Sequence, residues 1–275
     1  RFYMDMCYRP RLPDGARADS DAVGLTPQAA QDRFTSIGFA DTNSAMRHVK
    51  ALTQGISRAS RINRILLPAA LQWLGQGQDP DMGLLHWRDL GERFGTDSEY
   101  LGFLRDSPSA AQRLCHVLSN SRFLADALSK SVESVTWLGN DSLLEKRDRT
   151  SLDAQCTAII DRNGSDLNDC ANSLRALRRH EIERAGLSWM SSVMKGDECL
   201  TAMTDVYDSI MEAAVRWSVR YETQRAGLGA PPARMAIPAM GRYGGREVHF
   251  SSDADVIVIY DPTGAVAAAA RTARF

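Results

Sequence analysis

Asp253 and Asp255, two aspartates separated by one small residue, follow a Gly244-Gly245 pair. On a strand successive side chains alternate between faces, so both carboxylates point the same way, about 7 Å apart along the backbone. Like charges so placed repel unless a cation joins them. A magnesium ion held by one or two carboxylates together with phosphate oxygens is the natural solution. Gly244 and Gly245, lacking Cβ atoms, let the backbone approach a ligand and take up positive φ. Residues Gly245-Arg246-Glu247-Val248 are predicted to begin a short helix whose free N–H groups face an anion. Ser251 and Ser252 offer hydroxyls to the same phosphate, and Arg242 adds a positive charge. The set suits phosphoryl or nucleotidyl transfer, in which metal ions neutralise phosphates and orient an attacking hydroxyl.

A purely structural reading competes with this one. Gly-Gly turns before ordinary buried strands are common, Asp253 can cap a turn, and Asp255 can pair with Arg246. The strand, glycines, serines and spacing occurring together favour chemistry. His249 reads as a turn histidine rather than a catalytic base, and Arg242 with Glu247 fits a local ion pair of little worth. The chain contains no GxxxxGK[ST] loop, GxGxxG after a strand, GxSxG, HExxH or Cys/His nucleophile pair.

The elements that must position these residues are unevenly distributed. Met235–Met240 is a short apolar run, and Asp253–Tyr260 is the one β-branched stretch that reads as a buried strand. Before the Gly/Pro-rich connector near Gly227, the pattern is helical. Thr26-Pro27 opens a helix closed at Gly38, and Asp41 caps the next, with Ala45, Met46, Val49 and Leu52 on one face. A helix over 57–74 carries Ile62, Ile65, Leu66 and Trp73, and Pro68 is expected to kink or divide it. Shorter helices follow over 80–94, 98–105, 108–118 and 121–138, with Ser107 as a cap before Pro108. Two long ones are predicted over 166–193 and 197–225. The first carries Leu167, Leu174, Leu177, Ile182 and Leu187 as core candidates, and the second Leu200, Met203, Val206, Ile210, Ala214 and Trp217. Arg178-Arg179 reads as a solvated face. The organisation is therefore mainly α: a linker over 1–25, a multi-helix domain over 26–226, and the start of an α+β domain over 227–275.

Composition narrows the function classes. The chain has 275 residues, 44% hydrophobic and 24% charged, an ordinary globular make-up. Its 33 basic and 34 acidic residues give a formal net charge of -1, which argues against a protein that coats nucleic acid. No apolar run approaches the ~20 residues that span a bilayer, and RFYMDMCYRP has no secretory apolar core. Cys7, Cys115, Cys156, Cys170 and Cys199 are scattered without a CxxC pair and read as reduced, half-buried thiols of a cytoplasmic protein. Both ends look cut: Arg1 is not a start, and GAVAAAARTARF reads as a helix stopped without a cap. The expectation is a piece of a longer polypeptide.

The stretch MGRYGGREVHFSSDADVIVIYD resembles the MGKxGGxEL…SSDxDLIF signature of the glutamine synthetase adenylyltransferase family, bifunctional enzymes with a nucleotidyltransferase fold like that of DNA polymerase β. GFADTNSAMRHVKALTQGISRASRINRILLPAALQWL is similar to the segment joining the two halves in actinobacterial members. LGFLRDSPSAAQRLCHVLSNSRFLADALSKSVESVTWL and LRALRRHEIERAGLSWM resemble the helical region before the second catalytic domain. The likeness covers residues 2–262. It implies an N-terminal half that removes AMP from glutamine synthetase by phosphorolysis. It also implies a C-terminal half that transfers AMP from ATP to a tyrosine hydroxyl, with glutamine or PII-type proteins signalling nitrogen status. This chain would then begin the adenylylating half. By the same resemblance Asp253 and Asp255 are the metal-binding pair, and Gly244, Gly245 and Ser252 form the nucleotide-phosphate turn. Arg242 stands where many members have Lys, and Tyr243 where they have Leu. The family's third carboxylate, in a motif like DxxLRPEG, is expected beyond Phe275, so the piece alone is expected to be inactive. RFYMDMCYRPRL has a superficially similar look but falls in the expected linker. Three alternatives stay open: a helical docking or sensing module with a structural DADVIVIYD strand, the deadenylylating half, and another nucleotidyltransferase such as an aminoglycoside-modifying one.

Overall fold

The computed structural model describes residues 27–163 and 166–262. The chain divides into two compact units, with the boundary between Leu144 and Glu145. The change of texture near Gly227 lies inside the second unit. The expected linker, Cys7, Thr26 and the GAVAAAARTARF stretch lie outside the described residues.

The first unit is helical throughout its described length. Its elements are α1 (Pro27–Ile37), α2 (Thr42–Thr53), α3 (Arg58–Gly75), α4 (Pro80–Phe94), α5 (Ser98–Asp106), α6 (Pro108–Asn120), α7 (Arg122–Leu128), α8 (Val132–Trp137) and the single turn α9 (Asp141–Leu144). Side-chain caps set most of the starts. Asp41 accepts from Ser44 N at 2.9 Å, Asp79 from Met82 N at 2.9 Å, and Asp97 from both Glu99 N and Tyr100 N. Each satisfies donors that the first turn leaves unpaired. Gly38 closes α1 and Gly55 ends α2 with positive φ, as a left-handed stop requires. Ser107 does sit before Pro108, but its side chain makes no cap bond.

Two expectations about α3 are corrected. Pro68 does not divide it; the helix runs unbroken for 18 residues. The interior proline costs about 3 kcal/mol, which burial of Leu67, Ala70, Leu71 and Leu74 around it offsets. Ile65 is not core: it is 78% exposed, because the buried stripe runs through Ile62, Asn63, Leu67 and Ala70 instead. The predicted single helix over 121–138 is two, α7 and α8, each started by its own serine, Ser121 and Ser131. The core of the unit is leucine-rich around Trp87, whose indole N–H donates to the buried Asn63 carbonyl at 3.1 Å.

The second unit is built on three helices, α10 (Arg149–Asn163), α11 (Leu167–Met190) and α12 (Gly196–Arg225). α12 packs against both of the others. Sequence patterning missed α10, whose only buried apolar signal is Leu152, Cys156 and Ile160, spaced four apart. In α11, Leu167 is exposed rather than core, whereas Glu181–Ser188 is buried all round. Arg178 and Arg179 are exposed as expected. Cys115, Cys156, Cys170 and Cys199 are free and fully buried rather than half-buried. Burial pushes the Cys156 and Cys199 thiols up to about 11.

After α12 come β1 (Ala233–Ala236), the one-turn helix α13 (Gly241–Gly244) and β2 (Ile259–Pro262). β1 and β2 pair antiparallel, Ala233 opposite Pro262 through Ala236 opposite Ile259. The bridge between Ala239 and Val256 keeps the same register. The ladder is interrupted between them at Pro238, which has no N–H to give, although its carbonyl accepts from Ile257 N at 3.1 Å. The run expected as a buried strand is instead open: Val258 is 55% and Tyr260 68% exposed. Two strands cover little of each other's faces.

Candidate functional site

The candidate site is the loop from Gly241 to Val256, held between the strand pair and α12. Residues Asp253–Val256 lack ladder bonds on the Asp253 side, yet burial alternates as in a strand. Asp253 and Asp255 are exposed, while Ala254 and Val256 pack against a cluster containing Ile182, Met203, Tyr207, Tyr243 and Val248. The two carboxylates therefore share one face, as the spacing predicts. Among the described residues no ion pair neutralises either. Asp255 is fixed through its backbone, its carbonyl accepting from Met240 N at 2.8 Å.

The glycines act differently from expectation. Positive φ falls on Gly241 (54°) and Arg246 (60°), whereas Gly245 is right-handed at -77°. Gly244 is required by close approach, since a Cβ there would lie 2.5 Å from the Ala239 carbonyl oxygen. Gly241, not singled out from sequence, sits beside the carboxylate: a Cβ there would meet Asp255 Oδ2 at 3.4 Å, an ordinary contact, and it is the positive φ that favours glycine. The predicted helix over Gly245–Val248 does not form. The helical turn comes earlier, at Gly241–Gly244, and the later N–H groups are already used. Gly245 N, Arg246 N and Glu247 N donate to the carbonyls of Gly241, Tyr243 and Arg242, and Val248 N donates to Thr204 Oγ1.

Ser251 and Ser252 lie where the motif puts them, just before the aspartates, in a tight loop with His249. Ser252 Oγ accepts from His249 N at 3.0 Å, and Ser252 N donates to the His249 carbonyl. Ser251 N donates to His249 Nδ1 at 3.2 Å. His249 thus has a turn role, as read from sequence. Arg242 is exposed, and neither local ion pair considered from sequence is made. Arg242 does not pair with Glu247, and Arg246 turns away from Asp255 towards α12.

That turn of α12 is what sequence reasoning missed. Arg246 bonds Asp205 at 2.5 Å and Asp208 at 3.1 Å. The Tyr207 hydroxyl donates to the Ser252 carbonyl at 2.8 Å. Tyr243 is buried, and burial together with its hydrogen bond to Asp208 holds its phenol well above the usual range. Lys146 reaches Asp205, and Arg149 reaches Asp153, Asp208 and Glu212. The sequence signal was weak: Asp205 and Asp208 stand three apart on a helix that also carries Glu212, Arg216 and Arg220.

Among the described residues no group of three His, Cys, Asp or Glu side chains could hold a metal ion. Two unneutralised carboxylates beside a glycine fit magnesium shared with a phosphate, and do not fit an all-protein cage.

Comparison with known proteins follows this geometry. The family model of glutamate-ammonia ligase adenylyltransferase matches residues 111–274. A bifunctional glutamine synthetase adenylyltransferase/adenylyl-removing enzyme of Bifidobacterium longum is 60% identical over 260 residues, covering 94% of this chain and 24% of that protein. Enzymes of the same description from Leifsonia xyli and Streptomyces coelicolor are 39% and 33% identical, covering 94% and 97% of this chain and 26% and 28% of their own lengths. The chain spans about a quarter of the length of the relatives it matches. It belongs to the glutamate-ammonia ligase adenylyltransferase family.

Proposed function

We propose that this chain is the helical region and first catalytic strands of the adenylylating half of a bifunctional enzyme, which transfers AMP from ATP to a tyrosine hydroxyl of glutamine synthetase. The other half of the longer protein removes the group by phosphorolysis. The observation that carries the reading is the pair Asp253 and Asp255, exposed on one face beside Gly241, with no ion pair to either among the described residues. The names of the relatives support the substrate. On this reading the catalytic domain has the DNA polymerase β-like fold, and β1, α13 and β2 are its opening.

In the reaction the tyrosine oxygen bonds to the α-phosphorus of ATP, the α–β phosphoanhydride breaks, pyrophosphate leaves, and the phenol proton passes to solvent. Magnesium, when bound, supplies neutralisation of the phosphates and alignment of the attacking and leaving oxygens. Asp253 and Asp255 would hold it. Gly244, Gly245, Ser251 and Ser252 would shape the turn beside the phosphates, and the exposed Arg242 guanidinium would face their charge. A cytoplasmic enzyme answering to a PII-type nitrogen signal, with no part for nucleic acid or membrane, fits the same reading. No helix among the described residues is long and apolar enough to cross a membrane.

Transfer of AMP from labelled ATP to purified glutamine synthetase by the full-length enzyme tests the assignment. Asp253→Asn abolishes transfer; retained activity would sink the reading. The 275 residues alone, with two of the family's three carboxylates, transfer no AMP, and substantial turnover by them would overturn that account.

A further inference from the structure

We propose that one turn of α12, Thr204–Asp208, is a positioning platform for the catalytic loop, with Tyr207 and Asp208 as positioning residues for AMP transfer. The proposal rests on the reading above and adds residues outside its signature.

Four side chains of this single turn reach the loop. Thr204 Oγ1 accepts from Val248 N, Asp205 and Asp208 take the two ends of the Arg246 guanidinium, and Tyr207 bonds the carbonyl of Ser252. The last contact is made on the peptide that leads into Asp253, so it fixes the backbone at the point where the first carboxylate emerges. Arg246 is the second lever. Its left-handed conformation, φ 60°, is unfavourable for a residue with a Cβ and persists only where surroundings impose it. Here the two carboxylates impose it, and the chain thereby reverses between the glycine turn and the serine loop. Tyr207 is itself held by ring contact with Tyr243 at 5.7 Å and by the Arg178 guanidinium 5.6 Å from its ring centre. These contacts are made to Val248 N, Arg246 and the Ser252 carbonyl, and each fixes the backbone that carries the aspartates. Productive geometry for group transfer is lost with displacements of about 1 Å, so a slack loop costs rate before it costs binding of the protein substrate.

The test uses the full-length enzyme, with rates normalised to the folded fraction from near-ultraviolet circular dichroism. Tyr207→Phe keeps the ring and removes only the hydroxyl. The kcat for AMP transfer falls about tenfold, the scale of one hydrogen bond, and the magnesium concentration for half-maximal rate rises. The KM for glutamine synthetase stays unchanged. Asp208→Asn acts in the same direction and Asp208→Glu recovers part of the rate. If Tyr207→Phe and Asp208→Asn keep the parent kcat and magnesium dependence while Asp253→Asn is dead, the platform is refuted and the assigned reaction stands. If Asp253→Asn is fully active, the assigned reaction falls and the platform with it.

Discussion

The two units solve the problem of a helical interior in opposite ways. In the first, Leu67, Leu74, Leu84, Leu90, Leu114 and Leu118 close around Trp87, and the helices are started by exposed caps. In the second, α11 carries charge into the core. The Glu181 side chain is 2% exposed and is met by Arg184 at 3.0 Å, His180 at 3.3 Å and Arg147 at 3.8 Å. Apolar packing is non-directional and tolerant. Buried charges demand fixed partners, and removing one leaves the others stranded. A unit that must present two carboxylates on a fixed loop gains from the second kind of interior, and the ion pairs from Arg149 and Lys146 to α12 extend it to the surface.

Substitutions sharpen or break this contrast. Glu181→Ala is expected to have the largest effect, about 3–5 kcal/mol, because it removes the buried carboxylate on which Arg184, His180 and Arg147 converge. Denaturant unfolding with probes in each unit would measure it, and a loss under 1 kcal/mol would show the charged core to be no more demanding than an apolar one. The same residue gives a pH signature. Burial alone would push its carboxyl up, but the His180 hydrogen bond and the Arg184 and Arg147 charges prevail and hold it below the usual range. A depressed folded value means its contribution is full above the ordinary glutamate range and disappears as pH falls through the folded value. The second unit should therefore lose stability under acid, with Glu181→Ala flattening that dependence. Leu118→Ala, at a fully buried site in the first unit, should cost about 2–5 kcal/mol with no such acid dependence. Asp97→Ala, removing a cap with two bonds, should cost about 1 kcal/mol, seen as faster amide exchange at the start of α5.

The legible parts of the fold were those with local causes. Asp41, Gly38 and Gly55 each act within one turn, and the helices they bound form where expected. Ile65 and Pro68 were misread because the phase of a buried stripe and the tolerance of an interior proline depend on neighbouring helices. α10 was invisible because Leu152, Cys156 and Ile160 make too narrow a stripe for periodicity to register. At the candidate site, the shared face of Asp253 and Asp255 and the place of Gly244, Ser251 and Ser252 beside them were legible in spacing. Gly241, Tyr207, Asp205 and Asp208 were not, since Tyr207 meets Ser252 across 45 positions and Arg246 meets Asp205 across 41.

By itself the sequence determined that this chain is mainly helical, where many of the helices start and stop, and which two carboxylates share a face. Capping, turn stereochemistry and strand alternation are properties of a few consecutive residues, and they survive in any context that lets the element form. Tertiary structure alone decided that positive φ belongs to Gly241 and Arg246, that the β-branched run stays open, and that one turn of α12 sets the loop. Those outcomes depend on which distant groups arrive at one place, and charge, hydrogen-bond geometry and close approach select among them only after the helices have packed.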